Sequence, residues 1–285
     1  MSAKLELQNV TYYYGKGTAF EVKALDQVSF AVRETSITGL IGHTGSGKST
    51  LAQLFNGLEK PNEGKVLLDG EDIWDKKYKG GRLCFRVGLV MQYPEYQLFE
   101  ETVFNDVAFG PRNKGVGEEE VKKLVMDAIE FVGLTPDILE QSPFDLSGGQ
   151  KRRVAIAGVM AMQPEVLVLD EPAAGLDPSG RSDIFGGIRR YRDTTGATVI
   201  IVSHSMEDMA EYCDDVIVMH HGTVMLTGPK DSVFADSDKL AEAGLDIPQI
   251  TRVMRLLAQS GLDVDASVCT KDQAVTELIR AYKLK

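Results

Sequence analysis

The tightest constraint on this chain is a nine-residue segment, GHTGSGKST at residues 42–50, which fits the pattern G-x-x-x-x-G-K-[ST]. The apolar run SITGLIG leads into it and the helical pattern KSTLAQLFNGL leads out, so strand, glycine loop and helix follow in the order of a phosphate-binding loop. Gly42, Gly45 and Gly47 let the backbone turn its amides inward around a triphosphate, with His43, Thr44, Ser46 and Thr50 completing the cradle. The helix N-terminus adds partial positive charge, Lys48 reaches the terminal phosphates, and the Ser49 hydroxyl can ligate Mg2+. A glycine-serine turn that binds nothing is the alternative, and it calls for neither the lysine nor the hydroxyl.

Three further runs, RVGLVMQ, VLVLDEP and TVIIVSH, are short and apolar, each followed by polar residues and then a helical period. That grammar predicts parallel strands covered on both faces, an α/β core. Residues 1–32 instead alternate apolar with polar, as half-buried antiparallel strands do. Residues 106–163 read as a helical subdomain, with Val121, Leu124, Val125 and Ala128 on one face. VIVMHHGTVMLTG predicts a hairpin turning at His221 and Gly222. These segments make a nucleotide-binding domain over residues 3–235. The remainder, 236–285, is a helical extension, with Ile250, Val253, Met254 and Leu257 on one stripe and Val275, Leu278, Ile279 and Tyr282 on another, behind a Thr270/Gln273 capping box.

With 285 residues and 43% apolar content the chain can bury a substantial core. Its 42 acids against 31 bases argue against sequence-blind adhesion to nucleic acid or anionic lipid. One basic run, DKKYKGGR at residues 75–82, reads as a solvated loop, with RNA contact the other option. MSAKLELQNV lacks the regions of a secretory signal, and the longest apolar stretches are far too short to cross a bilayer. The expectation is a cytosolic protein whose membrane role comes through a partner. Cys84, Cys213 and Cys269 form no CxxC pair and are expected to be reduced and mostly buried.

Open α/β sheets bind ligands beyond the carboxyl ends of their strands, and four such ends carry suitable groups. Asp170 is placed to hold Mg2+, and Glu171 to orient and polarise an attacking water. Gln92 can reach Mg2+ or that water, and His204 can donate to the γ-phosphate. NKGV at residues 113–116 lacks the aspartate that reads guanine, so adenine is expected. Tyr14 is the candidate for stacking on it, ordinary packing being the alternative.

FDLSGGQKRR at residues 144–153 has the composition of a second anion site: two glycines, a serine and three cations at a helix start. Taken together, GHTGSGKST, Gln92, LSGGQ, LVLDEP, AGLD and SH, in this order, resemble the nucleotide-binding subunit of ATP-binding cassette (ABC) transporters over residues 3–235. The resemblance implies a P-loop NTPase cassette with a RecA-like parallel core, an antiparallel β subdomain and a helical subdomain. It implies two cassettes facing head to tail, with Ser147, Gly148, Gly149 and Gln150 contacting ATP held by the partner and Asp177 meeting the opposite subunit. Residues 90–115, residues 146–164 and the helical tail are similar to the energy-coupling factor branch, whose importers take up vitamins and transition-metal ions. In that branch the ATPase works with a second ATPase, a membrane coupling (T) subunit received near residues 93–99, and a substrate-capture (S) subunit. A homodimer, an ATPase of another ABC importer or exporter, and a soluble cassette acting on nucleic acid or the ribosome are the remaining readings. The last is disfavoured because a single set of motifs is present and no long coiled coil separates them.

Overall fold

The computed structural model describes residues 3–75 and 82–283, so the basic run anticipated at residues 75–82 lies almost wholly outside the described residues. The opening alternation becomes an antiparallel pair, β1 (Ala3–Tyr14) and β2 (Val22–Arg33), with Leu7 opposite Phe30 and Val10 opposite Val28. The chain passes through β3 (Ile37–Gly42) and α1 (Lys48–Asn56), then returns with β4 (Glu63–Leu68) and β5 (Glu71–Asp72) to finish a four-stranded sheet ordered β2-β1-β4-β5.

β6 (Val87–Val90) precedes three helices, α2 (Val103–Lys114), α3 (Glu118–Phe131) and α4 (Gly148–Met160). β7 (Val166–Asp170), α5 (Pro178–Thr195), β8 (Thr198–Val202), α6 (Met206–Tyr212), β9 (Asp215–His220) and β10 (Thr223–Pro229) follow. The second sheet runs β10-β9-β3-β8-β7-β6, parallel throughout except for β10, which folds back antiparallel on β9. His221 and Gly222 at that hairpin tip both have positive φ, 45° and 77°, the handedness that matches the twist of the two strands.

Successive side chains of a strand point to opposite faces, and here both faces are buried. In β7, Val166 and Val168 join the core beneath the antiparallel sheet and α1, while Leu167 and Leu169 join the core under the helices. β8 divides the same way, Ile200 and Val202 against Val199 and Ile201. α3 buries Val121, Leu124, Val125 and Ala128, the stripe its period predicts.

α7 (Lys230–Ala235) follows β10, and the tail beyond it holds α8 (Ser237–Glu242), α9 (Gln249–Gln259) and α10 (Lys271–Lys283). Gln273 N–H donates to Thr270 Oγ1 at 3.3 Å and Thr270 N–H to Gln273 Oε1 at 3.1 Å, closing the anticipated capping box. Its apolar stripes are only half covered. Met254 is buried among Ile250, Leu257 and Leu278, whereas Val253, Val275, Ile279 and Tyr282 are exposed.

A charge cluster ties the antiparallel sheet to the starts of β6 and β7. Glu165 accepts from Arg86 at 2.6 Å and from Lys4 at 2.6 Å, while Asp69 bonds the same two cations at 2.6 and 3.0 Å. The Arg86 guanidinium and then the Lys4 ammonium hold the Glu165 carboxyl at about 2, against an ordinary 4.5. A depressed carboxylate stabilises the fold above its unfolded value and loses that contribution as pH falls toward its folded value. Because Glu165 is partly solvated, the contribution is about 1 kcal/mol. Glu165→Gln is expected to lower stability by about that amount at pH 7, with the gap closing between pH 4.5 and about 2. Denaturant unfolding of both proteins at pH 7 and in that acid window measures it.

Candidate functional site

The register of the parallel sheet decides where the motifs meet. Leu40 lies opposite Val202, Val202 opposite Asp170, and Leu169 opposite Val90, so β3, β8, β7 and β6 end at one edge. Beyond that edge opens a cavity of about 1060 Å3. From the anticipated set it is lined by Tyr14, Gly42, His43, Thr44, Gly45, Gly47, Lys48, Ser49, Thr50, Gln92, Asp170, Glu171 and His204. Ser46 is fully buried beneath the loop, its N–H donating to the His43 carbonyl at 3.1 Å.

The loop is shaped for an anion. Gly47, the N-cap of α1, has φ 104°, and a Cβ there would stand 2.7 Å from Leu25 Cδ2 and 2.9 Å from the Ala24 carbonyl. No other residue fits without displacing β2. α1 has no capping side chain and no acid in its first turn, so its N-terminal dipole faces the cavity uncompensated. Lys48 Nζ donates to the carbonyls of Gly42 at 2.7 Å and His43 at 3.0 Å. Burial lowers the Lys48 pKa, with Glu171 and Asp170 opposing the shift. Tyr14 stands at the rim, its hydroxyl 3.1 Å from Thr50 Oγ1 and its ring edge-on to Tyr12 at 4.9 Å.

Opposite the loop lie the carboxylates. Ser49 Oγ donates to Asp170 Oδ2 at 3.1 Å, and burial raises the Asp170 carboxyl above its usual range while that bond pulls it back. Two oxygens so close, with the Gln92 side chain on the same cavity, suit a small hard cation that takes oxygen ligands. Glu171 adopts φ 52°, a left-handed conformation that costs a glutamate about 1–3 kcal/mol. Its N–H is fixed to the Val202 carbonyl at 2.9 Å, and its Oε1 lies 2.7 Å from His204 Nδ1. A carboxylate only accepts, so Nδ1 carries the hydrogen and Nε2 is left for the cavity. Such strain at the end of a buried strand marks a side chain aimed for a purpose.

Ser147, Gly148, Gly149, Gln150 and Asp177 do not line this cavity. Ser147 and Gln150 cap α4 reciprocally, and Asp177 caps α5 by accepting from Gly180 N–H at 2.9 Å; Ser147, Gly148 and Asp177 are exposed. The three cations after the glycines are engaged within the chain, Arg152 with the Glu95 carboxylate and the other two with backbone carbonyls. Lys151 donates to the Phe144 carbonyl at 2.8 Å and Arg153 to the Gly133 carbonyl at 3.2 Å.

Arg152, which sequence reasoning did not single out, is 4% exposed. It donates to the Gln92 carbonyl at 2.8 Å, to Glu95 at 3.2 Å and to the Ala174 carbonyl, joining α4 to the segments that carry Gln92 and follow Glu171. Its one signal in the sequence is position, four and eight residues before the buried Ile156 and Met160. Also unforeseen is the wall formed by Gly244, Leu245, Asp246, Ile247, Gln249 and Arg252, where the α8–α9 connection borders the cavity. Arg152→Ala strands Glu95 and two carbonyls and is expected to cost about 3 kcal/mol, whereas Lys151→Ala, which loses one solvent-exposed bond to the Phe144 carbonyl, stays within about 0.5 kcal/mol. Denaturant unfolding of the two variants distinguishes them.

Residues 25–174 match the family model described as ABC transporter. The energy-coupling factor transporter ATP-binding protein EcfA2 of Clostridium acetobutylicum is 50% identical over 280 residues, covering 98% of each chain. Its counterpart in Caldanaerobacter subterraneus is 48% identical over 276 residues, 97% of this chain and 96% of the relative. Among solved structures, cbiO1 of Clostridium perfringens, described as part of the ABC transporter complex cbiONQ, superposes with TM-score 0.74 at 38% identity, covering 90% of this chain and all of that one. A bacterial ABC transporter cassette solved as a dimer matches with TM-score 0.70 at 27% identity, over 79% of this chain and 98% of that one. Motif order, strand register and these likenesses agree: the chain belongs to the ABC transporter ATPase family and, within it, to the ATP-binding proteins of energy-coupling factor transporters.

Proposed function

We propose that this protein binds and hydrolyses ATP to energise an energy-coupling factor importer, whose cargo the resemblance assigns to vitamins or transition-metal ions. The observation that carries the reading is the convergence of the phosphate loop, Gln92, Asp170, Glu171 and His204 on one cavity. In this reading residues 42–50 and the start of α1 hold the triphosphate, Lys48 leaves its carbonyl partners for the terminal phosphates, and Tyr14 stacks on the adenine. Ser49, Asp170 and Gln92 hold Mg2+, which when bound neutralises charge gathering on the phosphates. Glu171 polarises the attacking water, and His204 steadies Glu171 while offering its free nitrogen to the γ-phosphate.

Ser147, Gly148, Gly149, Gln150 and Asp177 serve the facing subunit, a distinct ATPase or a second copy. The exposure of Ser147, Gly148 and Asp177 outside the cavity supports this, since a site completed from another chain needs donors on the surface. ATP then favours the closed pair, because only the closed pair grips it from both sides. The reading divides the chain into a cassette over 3–235, with a helical subdomain near 106–163, and a pairing extension over 236–285. The exposed stripe of Val253, Val275, Ile279 and Tyr282 supports the last assignment.

Tyr93, Tyr96 and Phe99 are exposed, and Phe99 stands edge-on at 4.9 Å to Phe109, which lines a mostly apolar cavity of about 320 Å3. This is the proposed seat of the coupling subunit, and Arg152 links it to the Gln92 backbone. No helix among the described residues is long and apolar enough to cross a membrane. In this reading the chain sits at the cytoplasmic face of the membrane through its partners, as its likeness to energy-coupling factor ATPases supports.

Glu171→Gln is expected to keep ATP binding, lower turnover by at least about a hundredfold and leave ATP-loaded pairs closed on size exclusion; wild-type turnover would remove Glu171 from its role. Val275→Asp with Ile279→Asp is expected to weaken pairing in sedimentation experiments, and unchanged association would remove the tail from the interface.

A further inference from the structure

Three of the chain's four histidines lie together at the edge of the nucleotide cavity, outside every role assigned above except that of His43 in the phosphate loop. His43 comes from the loop after β3, His220 from the last position of β9 and His221 from the hairpin turn. One ring nitrogen from each lies within 4.8 Å of the others. The ring centroids are 5.3 Å apart for His43 and His220, 4.7 Å for His43 and His221, and 4.2 Å for His220 and His221.

We propose that His43, His220 and His221 form a binding site for one divalent transition-metal ion, distinct from the Mg2+ that accompanies ATP. Imidazole nitrogens suit Zn2+, Co2+, Ni2+ and Cu2+, whereas Mg2+ takes hard oxygens. Three histidines with a fourth position open to water are a recurring arrangement for zinc. Metal–nitrogen bonds of about 2.0–2.1 Å in a tetrahedral site bring donors to roughly 3.4 Å of one another, so rotation of the rings closes the gap.

Two details point to a ligand rather than to packed rings. His43 Nδ1 lies 2.7 Å from the Thr44 carbonyl, which only accepts, so Nδ1 carries the hydrogen and Nε2 presents its lone pair. A ligating histidine is ordinarily oriented by such a bond from its other nitrogen. Among the described residues the only hydrogen bond to Nε2 is a long one of 3.4 Å from His221 N–H. His220 Nδ1 is buried and has no hydrogen-bond partner among the described residues, a loss that coordination or a small turn of the ring toward an ion would relieve. His221 is exposed, which gives an ion its way in.

An ion there would bridge the phosphate loop and the β9–β10 turn. These segments are already joined by the Gly222 N–H bond to the Ser46 carbonyl at 3.1 Å, so the ion would stiffen a contact beneath the triphosphate site. The inference does not depend on what the importer carries.

The test is titration of the EDTA-treated full chain with Co2+, without nucleotide or Mg2+, read by visible absorption and by displacement with Zn2+. The expected result is one Co2+ per chain with the bands of nitrogen ligation. Affinity should fall by at least about tenfold in His221→Gln, an exposed position that leaves the fold intact, and further in His220→Gln. Undiminished binding in His221→Gln overturns the proposal. So does a near-ultraviolet thiolate charge-transfer band, which would mark a cysteine as the ligand, or the absence of any stoichiometric binding.

Discussion

The fixed register of four parallel strands underlies everything else in this molecule. Parallel pairing places the carboxyl ends of β3, β8, β7 and β6 on one edge, and a slip of one residue would turn every side chain to the opposite face. Because both faces are buried, such a slip would strand apolar groups on neither core in good order, so the register holds. The last rung, from Glu171 N–H to the Val202 carbonyl, then forces the chain to leave the sheet through a left-handed turn. Arg152 grips the same segment at the Ala174 carbonyl. The backbone strain at Glu171 is thus held from the sheet on one side and from α4 on the other.

This construction explains what could be read from the amino-acid string. The phosphate loop, the Asp170–Glu171 pair, Gln92 and His204 each sit where an apolar run ends, and a strand end is a local feature of sequence. Their convergence needed only the rule that ligands gather beyond the ends of parallel strands. Arg152 was illegible because it stands in a row of three cations, and only the tertiary fold decides which one is buried. The wall at residues 244–252 carries no motif, and its closeness to the phosphate loop arises from the path of the tail. In α9 and α10 the helical period predicts apolar stripes correctly, but period alone cannot tell a face covered by its own chain from one left for another.

The chain also separates two kinds of anion-binding chemistry that its composition makes look alike. At residues 42–50 the glycines and the lysine enclose a cavity, and the helix that follows has no cap of its own. At residues 147–153 the helix start is capped by Ser147 and Gln150, and its cations are spent on carbonyls and on Glu95 within the chain. The first is a pocket complete on its own side. The second is a rigid surface, suited to being presented rather than to enclosing anything, which is the physical content of the proposal that it serves a facing subunit.

The α8–α9 connection has a consequence for how such proteins are dissected. Since it forms part of the chamber in which the phosphate loop lies, amputating the extension would not yield a bare cassette with its ligand-binding properties intact. If the extension pairs subunits as proposed, affinity for nucleotide and the capacity to associate would change together, and a shortened chain would confuse the two. On the proposed pairing role of the extension the link is reciprocal: a partner that moves α9 also moves Gln249 and Arg252, which line the nucleotide cavity.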